Sequence, residues 1–96
     1  MKRVLVECRD LFFRGKLQVI LTTSGAEPVQ GEPCDLAVIE LGRPDVPQRI
    51  AQLVARGVPV LAFGSHVDAG ALRAARELGA RAVPNSEVEH SLRALL

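Results

Sequence analysis

Three short runs in this chain are apolar at almost every position: Arg3–Val6 (RVLV), Leu36–Leu41 (LAVIEL) and Pro59–Phe63 (PVLAF). A strand with one wet face alternates apolar and polar residues, so an unbroken apolar run has no wet face. Strands covered on both sides belong to a parallel sheet flanked by crossover helices. The segments between the runs carry helical signals. Asp10 stands at the cap position of a helix over roughly 11–23, with Leu11, Phe12, Phe13, Leu17, Val19, Ile20 and Leu21 as its broad apolar set. Ser24-Gly25 closes that helix. Pro44 and Pro47 punctuate a loop into a second helix near 46–56, which buries Val46, Ile50, Leu53 and Val54 and stops at Gly57. Asp68 caps a third helix to about Leu78, with Leu72, Ala75 and Leu78 inward and Gly79 after it. Arg81–Val83 reads as a further short strand. Ser86, with Glu89 three residues on, reads as a capping box for a last helix to Leu95.

Glu27–Gln30 fits a short edge strand, because Pro28 is tolerated only at an edge or a strand start. Gly31-Glu-Pro33 reads as a turn, and residues 31–34 are too few for a crossover helix. The expected fold is therefore α/β: three layers, a short parallel sheet of four or five strands with right-handed crossovers, and one helix, the second, missing or shortened. Ninety-six residues predict a single domain over 1–96, burying roughly two-thirds of its unfolded surface. With 48% hydrophobic residues but only three aromatics, the core is expected to be aliphatic.

The net charge of +1 is spread over both signs with no basic stripe and no interleaved aromatics, so no nucleic acid is expected as partner. No apolar run reaches the length of a membrane span, and residues 1–6 read as a strand rather than a signal peptide. A cytoplasmic location follows as the expectation, with Cys8 and Cys34 reduced. The strand pattern sets those two at opposite ends of adjacent strands, beyond bridging distance. Lys2 and Lys16 are the only lysines, so ten of the 12 basic residues are Arg, a bias that fits a thermophile or a GC-rich genome.

In an open parallel sheet, chemistry sits at the carboxyl ends of the strands. The residues falling there are Glu7, Cys8, Glu40, Gly64, Ser65, His66 and Asn85. The segment Cys34-Asp-Leu-Ala-Val-Ile-Glu-Leu-Gly-Arg-Pro-Asp45 is followed in order by Val-Pro-Val-Leu-Ala-Phe and Glu-Leu-Gly-Ala. Together they resemble the receiver domains of response regulators, a flavodoxin-like family, across nearly the whole chain. The resemblance implies that Glu40 stands at the phospho-acceptor position, Glu7 and Cys8 at the acidic pocket, and Gly64 at the switch hydroxyl with Ser65 beside it. Asn85 or a neighbour then stands at the position of the phosphate-binding Lys.

A working receiver holds Mg²⁺ through carboxylate oxygens, and a thiol at Cys8 is a poor ligand for that ion. Glu40 has a longer arm than the Asp the family uses, and no lysine follows Lys16. The resemblance thus implies a degenerate receiver, or pseudo-receiver: a stand-alone signalling and interaction module without phosphotransfer, not an enzyme, with no cofactor and no metal. Glu40 would imitate a phosphorylated acceptor electrostatically. The partner expected is a protein, a second copy of the chain included, and the contact surface expected is Phe12 and Phe13. Neighbours on a helix point about 100° apart, so one ring can be core while the other is partly exposed; the simpler expectation is that both are buried.

Two other readings follow from the residues. Cys8 and Arg14 have the Cys-x5-Arg spacing of low-molecular-weight tyrosine phosphatases and arsenate reductases, which they resemble in this respect. That chemistry needs a thiolate of lowered pKa in a cradle of backbone N–H groups. Asp10, the bulky Leu11, Phe12 and Phe13, and Gly15 in place of a hydroxyl all count against it. Alternatively, Glu7, Glu40, Ser65 and His66 form a small-ligand or metal site, with His66 as a group that titrates near neutrality. The plainest expectation is that Glu7 and Glu40 are solvated strand-end acids neutralised by Arg9 and Arg43, His66 an exposed loop residue, and Asn85 and Ser86 helix caps. A dinucleotide loop is excluded, since Glu7–Phe13 contains no glycine.

Overall fold

Strands and helices alternate along the chain, and the computed structural model describes residues 1–96. The elements are β1 (Arg3–Glu7), α1 (Leu11–Thr23), β2 (Glu27–Val29), β3 (Leu36–Glu40), α2 (Val46–Ala55), β4 (Val60–Gly64), α3 (Ala69–Glu77), β5 (Arg81–Pro84) and α4 (Val88–Leu95). All five strands are parallel, in the order β2-β1-β3-β4-β5. This is the flavodoxin-like order, in which the chain reverses direction across the sheet between β1 and β3. The edge strand exists, and no helix connects β2 to β3.

Alternate residues of each central strand feed two cores, one per face. Val4, Val38, Leu61 and Phe63 meet Leu17, Leu21, Val88 and Leu92 of α1 and α4. Leu5, Ala37, Ile39 and Ala62 meet Ile50, Leu53, Leu72 and Ala75 of α2 and α3. Unbroken apolar strands are what this two-sided burial requires, and each fully buried large aliphatic side chain contributes about 1.5–3 kcal/mol.

The helix starts that set the site are well defined. Asp10 Oδ1 accepts the backbone N–H groups of Phe12 (2.9 Å) and Phe13 (3.2 Å), so α1 begins at once after β1. Asp68 Oδ1 accepts from Ala71 N–H at 3.2 Å and starts α3. Gly25, at φ 75°, ends α1 in the left-handed region that a side chain disfavours.

The capping box does not form. Asn85–Glu87 is a 3₁₀ turn, α4 starts only at Val88, and no side chain caps it. Ser86 and Asn85 lie within that turn rather than in the extended backbone a capping residue needs, and Glu89 forms an ion pair instead with Lys16 of α1 at 3.6 Å. Both sheet edges are blunted. Pro28 lies in β2, and the Arg76 guanidinium donates to the β5 carbonyl of Ala82 at 3.1 and 2.8 Å.

Candidate functional site at the carboxyl ends of the strands

The point of reversal between β1 and β3 is where ligands bind in sheets of this order, and Glu7 and Glu40 close those two strands. They do not form a pair. Glu7 stands level with Ile39, so it shares the face of α2 and α3, whereas Glu40, one residue further on, faces the other way. Each finds its own partner. Glu7 binds the Arg49 guanidinium of α2 at 3.0 Å, with both groups about three-quarters buried. Glu40 Oε1 accepts the backbone N–H of Arg9 at 2.9 Å. The expectation that Arg9 and Arg43 side chains neutralise the two acids is thus corrected: only the Arg9 backbone takes part, and Arg43 pairs with Asp45 at 3.1 Å.

Cys8 is half-buried between β1 and the start of α1, and its thiol donates to the Asp10 carbonyl at 3.4 Å. Burial, and after it the negative charge of Glu40, push the thiol up to about 11. The phosphatase-like reading requires the reverse on both counts. Its cradle does not exist, because the Asp10 carboxylate takes the N–H groups of Phe12 and Phe13 that would bind an anion. Cys34 precedes β3 at the opposite end of the sheet, and both cysteines are free.

Gly64, the last residue of β4, is buried, while Ser65 and His66 beyond it are exposed. Ser65 Oγ accepts from Val67 N–H at 3.3 Å and closes the loop on itself. The register sets Gly64 beside Pro84, so the residue next to the hydroxyl position is Pro84, and Asn85 opens the turn beyond. No group of three or more His, Cys, Asp or Glu side chains converges anywhere in the chain. The structure therefore brings Cys8 close to Glu40 but does not gather Glu7, Glu40, Ser65 and His66 at one point.

Two contributors carry no sequence motif. Arg49 lies between the buried Val46 and Ile50 of α2, and its only signal is a basic residue on a helix that passes the end of β1. Leu41 packs over Gly64: a β-carbon there would lie 3.2 Å from Leu41 Cβ and 3.4 Å from its Cδ1. Nothing in the spacing of the chain announces that contact.

Of the two rings, Phe12 is 64% exposed, and Phe13 is half-buried with its ring 5.6 Å from that of Phe63. The expectation that both are buried fails for Phe12.

No family model and no curated protein matches the chain. Solved structures do. The BeF3-activated receiver domain of DrrB superposes with a TM-score of 0.82 at 16% identity, over 99% of this chain and 93% of that one. The CheY-like protein TadZ from Pseudomonas aeruginosa PAO1 gives 0.73 at 20% identity, over 99% and 96%. The signal receiver domain of the response regulator NarL from Mycobacterium tuberculosis gives 0.69 at 20%, over 98% and 94%. The chain has the receiver-type flavodoxin-like fold along its whole described length. No helix is long and apolar enough to cross a membrane.

Proposed function

We propose that the chain is a pseudo-receiver: one domain over residues 1–96, cytoplasmic, that signals by binding a protein partner and transfers no phosphoryl group. The observation that carries this reading is the separate engagement of the two strand-end acids, Glu7 by Arg49 on one face and Glu40 by the Arg9 N–H on the other. Mg²⁺ needs several hard oxygens directed at one point. The residues present do not fit that ion: Cys8 offers sulfur, Glu7 is turned away, and no third acid joins them. The loss of the other parts agrees. Gly64 has no hydroxyl, Pro84 stands beside it, and no lysine follows Lys16. In this reading Glu40 holds the β1–α1 loop in one conformation as a fixed negative charge.

The test is an amide-resolved NMR titration of the full chain with Mg²⁺, then beryllofluoride, then an acyl-phosphate donor followed by intact mass. The expected result is no shift at Glu7, Cys8, Glu40 or Ser65 and no added phosphate. Stable, Mg²⁺-dependent phosphorylation of Glu40 would falsify the proposal.

A further inference from the structure

We infer that the cavity between α2 and α3 binds a small uncharged bicyclic aromatic molecule, and that this ligand acts on the end of β4 through Leu41. A ligand input in place of phosphate rests on the pseudo-receiver reading above. The cavity encloses about 240 Å³. That is more than the ~150 Å³ void that holds a benzene and less than the ~300 Å³ at which drug-sized pockets begin. Two fused rings suit that interval. One turn of a partner's helix, about 10 Å across and about 5.4 Å long, is too large for it.

Short side chains make the void. Ala71, Ala74, Ala75 and Leu78 recur at the three- and four-residue spacings of one helix face, so α3 turns three alanines toward α2. Val46 and Ile50 of α2 lie buried at the floor. Alanine lacks the reach to fill the gap between the two helices, and the lining is left without contacts on one side. Pro44 and Pro47 stand at the rim. Their fixed φ holds the rim in place before a ligand arrives, which lowers the cost of binding.

The lining also sets the ligand's charge. Arg43 and Asp68 are its only charged residues, and no neutral polar side chain joins them. Arg43 is paired with Asp45 at 3.1 Å. Asp68 is exposed, accepts the Ala71 N–H through Oδ1 and forms no ion pair within 4 Å. An anion would meet the Asp68 carboxylate without a counter-ion between them. An ammonium would leave water for a floor of Ile50 and Ala75. An uncharged aromatic ring meets neither cost and restores the missing contacts.

Leu41 carries the consequence. It lines the cavity and also packs over Gly64, where a β-carbon would lie 3.2 Å from Leu41 Cβ. A ligand seated against Leu41 is thus one side chain away from the last residue of β4, which does not itself line the cavity.

The experiment uses the ¹⁵N-labelled full chain, with indole and naphthol as uncharged probes and naphthoate as an anion on the same rings. An uncharged probe is expected to shift Leu41, Gly42, Ala71 and Ala75 saturably, with a midpoint below about 1 mM. Gly64 should move with the same midpoint, and naphthoate should bind about tenfold more weakly than naphthol, or worse. Ala71→Leu and, separately, Ala74→Leu fill the void, and each should weaken the uncharged probes about tenfold or more. Circular dichroism checks that both variants stay folded. Val19→Ser, on α1 across the sheet, should leave the midpoint unchanged. No saturation by about 1 mM with either uncharged probe, equal binding of naphthoate, undiminished binding in both leucine variants, or shifts centred elsewhere overturns the inference. So does a dilution series without probe that moves the same amides, since a second copy then fills the cavity. A Gly64 amide unmoved at saturation overturns the role of Leu41. None of these readouts involves Mg²⁺ or phosphate. Phosphorylation of Glu40 would remove the pseudo-receiver reading and leave the cavity in place, and silence toward the uncharged probes would do the converse.

Discussion

Gly64 and Leu41 are matched at the level of single atoms. The buried Gly64 leaves the space that Leu41 fills, and a β-carbon on it would lie 3.2 Å from Leu41 Cβ, closer than ordinary contact. A hydroxyl-bearing residue cannot be placed there without moving Leu41. Gly64→Thr is therefore expected to destabilise the fold by about 1–3 kcal/mol through overpacking. Leu41→Ala in the same chain should recover part of that loss, read from urea midpoints of the four members of the cycle. An identical cost with and without Leu41 would show that the crowding lies elsewhere. At this scale the acids, the thiol and the glycine were visible in the sequence. Their partners were not, because Arg49, the Arg9 N–H and Leu41 arrive from other segments by way of the fold.

Helix α1 shows how far an element can be read from its own residues. Asp10 and Gly25 bound it as expected, since a cap and a left-handed stop act within a few residues. Its apolar set covers too much of the circumference to say which face is buried. The sheet decides: Leu17, Ile20 and Leu21 go in, Phe13 reaches Phe63, and Leu11, Phe12 and Val19 stay out. Gly15 is on the open face, so Gly15→Ala is expected to raise stability by about 0.5–1 kcal/mol. A thermal melt checks this, and a fall in Tm would mean that the glycine already packs against something. Helix α4 shows the opposite outcome. Its Ser86/Glu89 spacing matched a capping box, but the preceding 3₁₀ turn places Ser86 outside the cap geometry and leaves Glu89 to Lys16.

Across the whole molecule, stability is expected to fall toward both ends of the pH range. Burial raises both thiols, Cys8 to about 11, while an unfolded thiol titrates near about 8.5. The folded chain keeps protons that the unfolded chain releases, so stability is fully present below about pH 8.5 and is lost as pH rises toward 11. On the acid side the Arg3 backbone N–H, 2.8 Å from Asp35, holds that carboxyl below its usual range. Its contribution is present above about pH 4 and is lost as pH falls through the lowered value. Urea midpoints across pH 3–11 should show this dome, and Cys8→Ala with Cys34→Ala should flatten the alkaline limb. An unchanged limb would assign the loss to other groups.

The apolar runs and the short 31–34 connection by themselves determined that the sheet is parallel and covered on both faces and that the second crossover helix is missing or shortened, and they set the carboxyl ends of the strands to within one residue. Those are local properties: periodicity, caps and turns act over a few residues. Only the tertiary structure decided that Glu7 and Glu40 point apart, that Glu40 binds a backbone N–H, and that Leu41 occupies the space over Gly64. Strand-end side chains alternate faces, so a one-residue offset in register between β1 and β3 separates two acids that the sequence places at the same edge.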